Sequence, residues 1–205
     1  MTHRFADIAF TDAVKAAQTR FGTRAQMARL AQLGGPNDAL GARETEFIAA
    51  RDSVYLATVS ETGWPYLQHR GGPAGFLKVL GPRELAFADF GGNRQFVSVG
   101  NATGNDRVAL FLMDYAGRRR LKLLGRLTMQ ALSETPPALA AALALPGYSA
   151  RVERTARIAV EAFDWNCPQH ITPRYSEAEL QAVLQPLHER IATLEQALAE
   201  PRRAG

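Results

Sequence analysis

Cysteine is nearly absent from this chain, because Cys167 is the only one among 205 residues. A single thiol cannot form an intrachain disulfide, and a haem attachment motif needs a second cysteine. Cys167 and His170 offer a thiolate and an imidazole at short spacing, but structural zinc takes four protein ligands and catalytic zinc three. His3 and His188 lie in segments without ligand spacing. We therefore expect no disulfide, haem or metal, and interpret Cys167 as a small buried side chain.

Long hydrophobic runs are also lacking. The longest, in residues 136–146, is shorter than the roughly 18 apolar residues that a membrane span requires. The N-terminal stretch carries Arg4, Asp7, Asp12 and Lys15 without an apolar segment, which argues against a signal peptide. We expect a soluble, cytoplasmic protein without a membrane partner.

Extended basic runs are missing, although the formal net charge is +4 and the pI is near 9.6. The longest basic run is Arg118-Arg119-Arg120, and alternating apolar residues follow it. This charge suits an anionic ligand, and without a basic tail we expect no nucleic-acid partner. A 46% share of apolar residues is enough for one substantial core.

Hydrophobic periodicity predicts a mainly β protein with α decorations. Residues 53–59 and 65–69 alternate with period two around a Glu61-Thr62-Gly63 turn, which is typical of a β-hairpin. Further strands are predicted at 75–80, 84–90, 107–115, 119–129 and 157–165, and helices at 23–33, 42–51, 93–99 and 137–145. Five or six strands in hairpin order predict an antiparallel barrel.

The C-terminal segment predicts a helix of a different kind. Ser176 and Glu179 form a capping-box pattern, and Pro186 should kink the helix or begin a second one. Apolar residues recur at spacings of four and three: Leu180, Leu184, Leu187, Ile191, Leu194 and Leu198. This stripe is expected to pack on the barrel of the same or a partner subunit, with pairing to a partner helix as the alternative. We divide the single domain into a helical segment 1–52, a barrel 53–170 and a helical extension 171–205.

Glycine-rich turns beside cationic residues predict a phosphate site. Gly91, Gly92 and Asn93 can form a turn with open backbone amides, and Arg94 and Gln95 follow at the predicted N-terminus of a helix. Lys78 supplies a further charge from a nearby strand. The alternative is an ordinary hairpin turn flanked by solvated charges.

Three segments resemble the FMN-binding split barrel of the pyridoxamine 5′-phosphate oxidase family, specifically its flavin-nucleotide-binding relatives. They read SVYLATVSETGWPYLQHRGG, GFLKVLGPRELAFADFGGNRQ and DYAGRRRLKLLG. The likeness covers about residues 46–129 and continues more weakly through FDWNCPQHITPRY. It implies a homodimer that holds FMN at the subunit interface, with contacts from both chains.

The resemblance also implies roles for individual residues. Lys78 would reach the FMN phosphate from its strand, Ala88 and Asp89 would contact the flavin, and Arg94-Gln95 matches an Arg-Lys pair that clamps the phosphate. Arg120, with Arg119 beside it, would reach the flavin from the other subunit.

Other candidates stand where the chain departs from the family. Pro73 replaces a family arginine, and we expect Gln68, His69 and Arg70 to take over its contact, with Arg70 or His69 near N1 of the flavin. Trp165 would line the ring or substrate space with Asn166, Gln169 and His170, although a tryptophan here is more often core.

The implied activity is that of an FMN-dependent oxidoreductase, which acts on an unidentified small molecule with NADH, NADPH or oxygen as the second substrate. The flavin itself carries the hydride and electron chemistry. The family's terminal Arg-Leu-x-Pro signature for vitamin B6 is missing, so oxidation of that substrate is not expected. The alternative is a non-catalytic protein that binds, stores or senses flavin nucleotide. No catalytic residue can be assigned.

Overall fold

Seven antiparallel strands form one sheet in the computed structural model, which describes residues 3–165 and 168–199. The strands are β1 Ser53–Val59, β2 Pro65–Gly71, β3 Lys78–Gly81, β4 Glu84–Phe90, β5 Arg107–Asp114, β6 Arg119–Ala131 and β7 Val152–Trp165. Their order across the sheet is β2-β1-β5-β6-β7-β4-β3. The helices are α1 Arg4–Ala9, α2 Asp12–Arg20, α3 Arg24–Leu33, α4 Ala42–Ala49, α5 Val97–Gly104, α6 Pro137–Ala142 and α7 Glu177–Ala199.

The chain divides into two compact units. One lies within residues 1–114 and 119–168 and contains the sheet, and the other lies within 115–118 and 169–205. In the second unit the guanidinium of Arg174 lies 5.0 Å from the centre of the Tyr115 ring, and α7 follows. No helix within the described ranges combines the length and the hydropathy that a membrane crossing needs.

The core lies on one face of the curled sheet. Alternate residues of β1 and β5, such as Leu56 and Leu110, are almost fully buried, and Ile48 of α4 packs in the same cluster. Burial of each such side chain contributes about 1.5–3 kcal/mol. This period-two burial explains why the strands could be identified from sequence.

An ion pair links two strands that lie far apart in the sheet order. Arg70 on β2 donates from Nη1 to Oδ1 of Asp89 on β4 at 2.5 Å, although four strands separate β2 from β4. The sheet therefore curls until β2 faces β4, and polar side chains bridge this seam. The predicted antiparallel, mainly β architecture with a C-terminal helix is confirmed.

Several predicted boundaries were wrong. The helix predicted at 93–99 corresponds to α5, which begins at Val97 and continues past Gly100 to Gly104. It cannot begin earlier because Arg94 and Phe96 have left-handed backbone angles, which a right-handed α-helix does not contain. Strand β3 begins at Lys78 and not at 75, since Phe76 closes a turn onto the carbonyl of Pro73.

Other differences concern the number and length of elements. Each of the seven predicted strand ranges corresponds to a strand of the sheet, so the barrel has seven strands where a count of five or six was expected. Strand β7 begins at Val152, five residues earlier than predicted, and its start pairs with the end of β4. Pro186 lies inside one continuous α7, so a second helix does not begin there. Helices α1 and α2 were not individually predicted.

Candidate functional site

A cleft opens along the seam between β2 and β4. It is lined by β2, the end of β4, residues 92–96 of the following loop, the first turn of α5 and the start of β7. An adjoining cleft shares five lining residues with it: Gln68, Arg70, Asp89, Phe90 and Gly92.

The loop at one end of the cleft has a strained backbone. Arg94 has φ = 59° and Phe96 has φ = 55°, a region that residues other than glycine seldom adopt. The side chain of Asn93 stabilises the turn, since its Oδ1 accepts a hydrogen bond from the amide of Gln95 at 3.1 Å. Each such conformation costs roughly 1–3 kcal/mol, and residues of this kind cluster at ligand sites.

Helix α5 points its N-terminus into the same end of the cleft. Phe96 is the N-cap residue and makes no side-chain capping bond, so the first-turn amides of α5 have no partner from the cap. The helix is fixed to the sheet by Ser98, whose Oγ donates to Gln68 Oε1, and by Asn101, whose Nδ2 donates to Thr58 Oγ1, both at 2.9 Å. Open amides at a positive helix end favour an anion.

Two arginines flank this end and share one carboxylate. Asp89 is 1% exposed and accepts from Arg70 at 2.5 Å and from Arg154 Nε at 2.7 Å. Arg154 also lies 3.1 Å from a Glu153 oxygen and 4.9 Å from the centre of the Phe96 ring. Asp89 thus fixes both guanidinium groups at the cleft wall.

One hydrogen-bond donor of this cluster has no acceptor. The Nε of Arg70 is buried and has no hydrogen-bond partner. Buried donors are nearly always satisfied in native proteins, and an unmade bond to a charged group is costly. A ligand oxygen in the cleft could accept this bond.

The second cleft ends on apolar side chains. Phe76, Phe87 and Ala88 form its floor, and the two phenylalanine rings meet edge to face with centroids 6.3 Å apart. The two clefts together offer donors and cations at one end and an apolar surface at the other. This combination fits a ligand that joins an anionic group to a flat ring system.

Most of the predicted site residues come together here. Gln68, Arg70, Ala88, Asp89, Asn93, Arg94 and Gln95 line the two clefts. His69 lines the second cleft but its side chain is exposed, with its ring centre 5.7 Å from that of Tyr55.

Lys78 does not line either cleft. Its Nζ lies towards Gly75, 3.9 Å from where a Cβ on that glycine would stand. Its register partner on β4 is Ala86, which packs against Leu143 at the end of α6.

Three further candidates lie elsewhere in the sheet-bearing unit. Arg119 donates to Asp114 Oδ2 at 3.0 and 2.7 Å, and Arg120 is half-buried with an unpartnered Nε. Trp165 donates to Glu44 Oε1 at 2.8 Å and lines a separate groove beside α3. Its neighbours Asn166 and Cys167 lie outside the described residues.

Sequence reasoning missed Arg154, Glu153, Phe96 and Ser98, all of which line the first cleft. Arg154 reaches it because it is the cross-strand partner of Asp89. To find the pair of Arg154 and Asp89 from sequence, both the start of β7 and its register with β4 would have to be predicted. Among the described residues, no group of three or more His, Cys, Asp or Glu side chains is placed to hold a metal ion.

Comparison with solved structures places this fold among known ones. HupZ of Group A Streptococcus superposes with a TM-score of 0.50 at 13% identity, over 66% of this chain and 100% of that one. The chain has the split-barrel fold. The resemblance inferred from sequence is confirmed at this level.

Two other neighbours have lower TM-scores. A putative pyridoxamine 5′-phosphate oxidase from Lactobacillus delbrueckii gives 0.47 at 18% identity, over 62% of this chain and 94% of that one. An FMN-binding protein from Syntrophomonas wolfei gives 0.46 at 9% identity, over 76% and 97%. No protein-family model and no curated protein sequence matches the chain.

Proposed function

We propose that the protein is an FMN-binding oxidoreductase of the split-barrel type. The observation that carries this proposal is the cleft at the β2–β4 seam, where open amides and three arginines meet an apolar floor. The buried, unpartnered Nε of Arg70 fits a ligand that brings an acceptor. Bound FMN would supply hydride and electron transfer, with NADH, NADPH or oxygen as a candidate second substrate.

The phosphate of FMN is assigned to the loop end of the cleft. Arg94 and the first-turn amides of α5 would bind it, and Asn93 would hold the turn through its bond from the Gln95 amide. The ring would lie towards Ala88, with Arg70 at its polar edge. Lys78 is not needed in this arrangement, in contrast to the role that the resemblance implies.

We further propose that the barrel forms a homodimer with FMN at the subunit interface. The outer face of β2, β1, β5 and β6 carries an apolar row in register: Leu67, Ala57, Ala109 and Leu124. Leu67 is 64% exposed, so a partner subunit could bury this row. Arg119 and Arg120, which lie on β6, would then contribute across the interface.

The absorption spectrum of purified protein, with mass measurement of any released chromophore, tests the cofactor. Arg94→Ala should weaken FMN binding by roughly 1.5–3 kcal/mol, the value of a charge-assisted bond, which is about 10- to 150-fold. The exposed Arg20→Ala on α2 is the matched control, and both it and Lys78→Ala should retain FMN. A colourless protein that takes up no FMN in titration would refute the proposal.

Anaerobic addition of NADH or NADPH distinguishes turnover from storage. An oxidoreductase should lose its visible flavin band and recover it in air. A protein that remains yellow with both nucleotides would support the alternative of flavin-nucleotide storage or sensing.

A further inference from the structure

Helix α7 has an apolar stripe that stays exposed along its whole length. Its members are Leu180, Leu184, Leu187, Ile191, Leu194 and Leu198, and their exposure runs from 38% at Leu184 to 72% at Leu198. The spacing of four and three keeps all six on one face. A contiguous exposed stripe of leucines indicates an interaction surface.

The stripe follows a heptad. Leu184, Ile191 and Leu198 occupy positions a, and Leu180, Leu187 and Leu194 occupy positions d. Leucine at every d position suits knobs-into-holes packing between two parallel helices.

Charges beside the stripe select both the partner and the direction. Arg190 occupies a g position and Glu195 the following e position. In a parallel pair, Arg190 of each chain lies beside Glu195 of the partner subunit, which gives two opposite-charge contacts. In an antiparallel pair with full overlap, g approaches g and the two copies of Arg190 would repel each other. The chain is therefore complementary to itself in the parallel orientation.

The outer face of α7 is compatible with this packing. Pro186 occupies position c, so the hydrogen bond it cannot donate is lost on the side away from the stripe. Gln185 donates to Glu189 at 2.9 Å on that outer side, and Ser176 with Glu179 caps the N-terminus. The helix is continuous from Glu177 to Ala199.

We propose that α7 is a self-association helix, which pairs in parallel with α7 of a second copy of this chain. The stripe covers fewer than three heptads, so the pair forms reversibly and its population rises with protein concentration. None of the six stripe residues lines the clefts or belongs to the apolar row on the barrel. The pairing does not depend on the proposed function.

Cysteine crosslinking of the full-length protein tests the pairing. In a Cys167→Ser background, Leu194→Cys places a thiol at d, where two parallel helices bring equivalent residues together. Gln196→Cys, two residues away at f, is the matched control on the outer face. With a mild thiol oxidant, Leu194→Cys should form disulfide-linked dimers and Gln196→Cys severalfold fewer. Equal crosslink yields from the two variants would overturn the proposal. The absence of dimer from Leu194→Cys would also overturn it, and that result covers the case in which another surface buries the stripe.

A charge cycle on the same reporter tests the orientation. Arg190→Glu and Glu195→Arg each place like charges at both g–e contacts and should lower the crosslink yield severalfold. The double variant Arg190→Glu/Glu195→Arg restores opposite charges and should recover the yield. Single variants that crosslink normally, or a double variant that does not recover, would rule out the parallel register.

Discussion

The carboxylate of Asp89 should be the most sensitive single group at the barrel seam. Replacement by the nearly isosteric Asn removes the negative charge that Arg70 and Arg154 share. Both arginine side chains are less than one-fifth exposed, so water cannot fully replace the lost carboxylate. Removal of one partner from a buried ion pair costs about 3–5 kcal/mol. We take the lower end, about 3 kcal/mol, because the amide oxygen of Asn can still accept one bond.

This loss should be visible in equilibrium unfolding of FMN-free protein. For a chain of this size 1 kcal/mol corresponds to about 2–4 °C, so Asp89→Asn should lower the melting temperature by roughly 6–12 °C. Chemical denaturation should show a lower midpoint with an unchanged slope, since the fold and its buried area are the same. FMN-free protein is used because a bound ligand adds its own stabilisation.

Asp106→Asn is the matched control. Asp106 pairs with Arg126 at 2.9 Å, but their side chains are 44% and 45% exposed. Exposed pairs contribute about 0–1 kcal/mol, so this variant should unfold close to wild type. Equal midpoints for the two variants would refute the view that the buried cluster holds β2 against β4.

Three further substitutions test the local geometry of the sheet-bearing unit. Gly125→Ala would place a Cβ 2.5 Å from the carbonyl oxygen of Ala159 at a β-bulge, so it should lower the free energy of unfolding by about 1–3 kcal/mol. Gly100→Ala has open space around its Cβ within a helix, so it should raise the free energy of unfolding by about 0.5–1 kcal/mol. Denaturant titration measures both, and a tolerated Gly125→Ala would contradict the close approach. Trp165→Phe removes the bond to Glu44 and should cost about 1–2 kcal/mol while FMN retention is unchanged. Loss of FMN from this variant would indicate that Trp165 takes part in FMN binding, as the sequence predicted.

The predicted site residues that lie together in the structure are those whose sequence signal was local. Gly91 to Gln95 could be identified from sequence because a turn beside a strand, with an arginine and amides, lies within a few consecutive residues. The alternation of side chains along β2 likewise indicates that Gln68 and Arg70 lie on one face of the strand, and both line the cleft. Local backbone preference and side-chain alternation do not depend on the rest of the chain.

Other parts of the site depend on residues that are distant in sequence. Arg154 follows Asp89 by 65 positions and reaches it only through the register of β4 with β7. Lys78 has the residue type of a phosphate ligand, yet its Nζ lies near Gly75 and outside both clefts. The left-handed angles of Arg94 and Phe96, which shift the start of α5 to Val97, are not favoured by their own side chains.

The amino-acid sequence by itself determined that this chain forms an antiparallel sheet with a polar, glycine-rich loop and an apolar-striped C-terminal helix. Period-two and heptad spacing are properties of neighbouring residues, and local physics is enough to interpret them. Only the tertiary structure decided that β2 closes against β4 through Asp89, and that one arginine is left with an unpartnered donor in a cleft. Those features require the burial of charges from three separate strands at one place, and the free energy of such a contact depends on the whole fold.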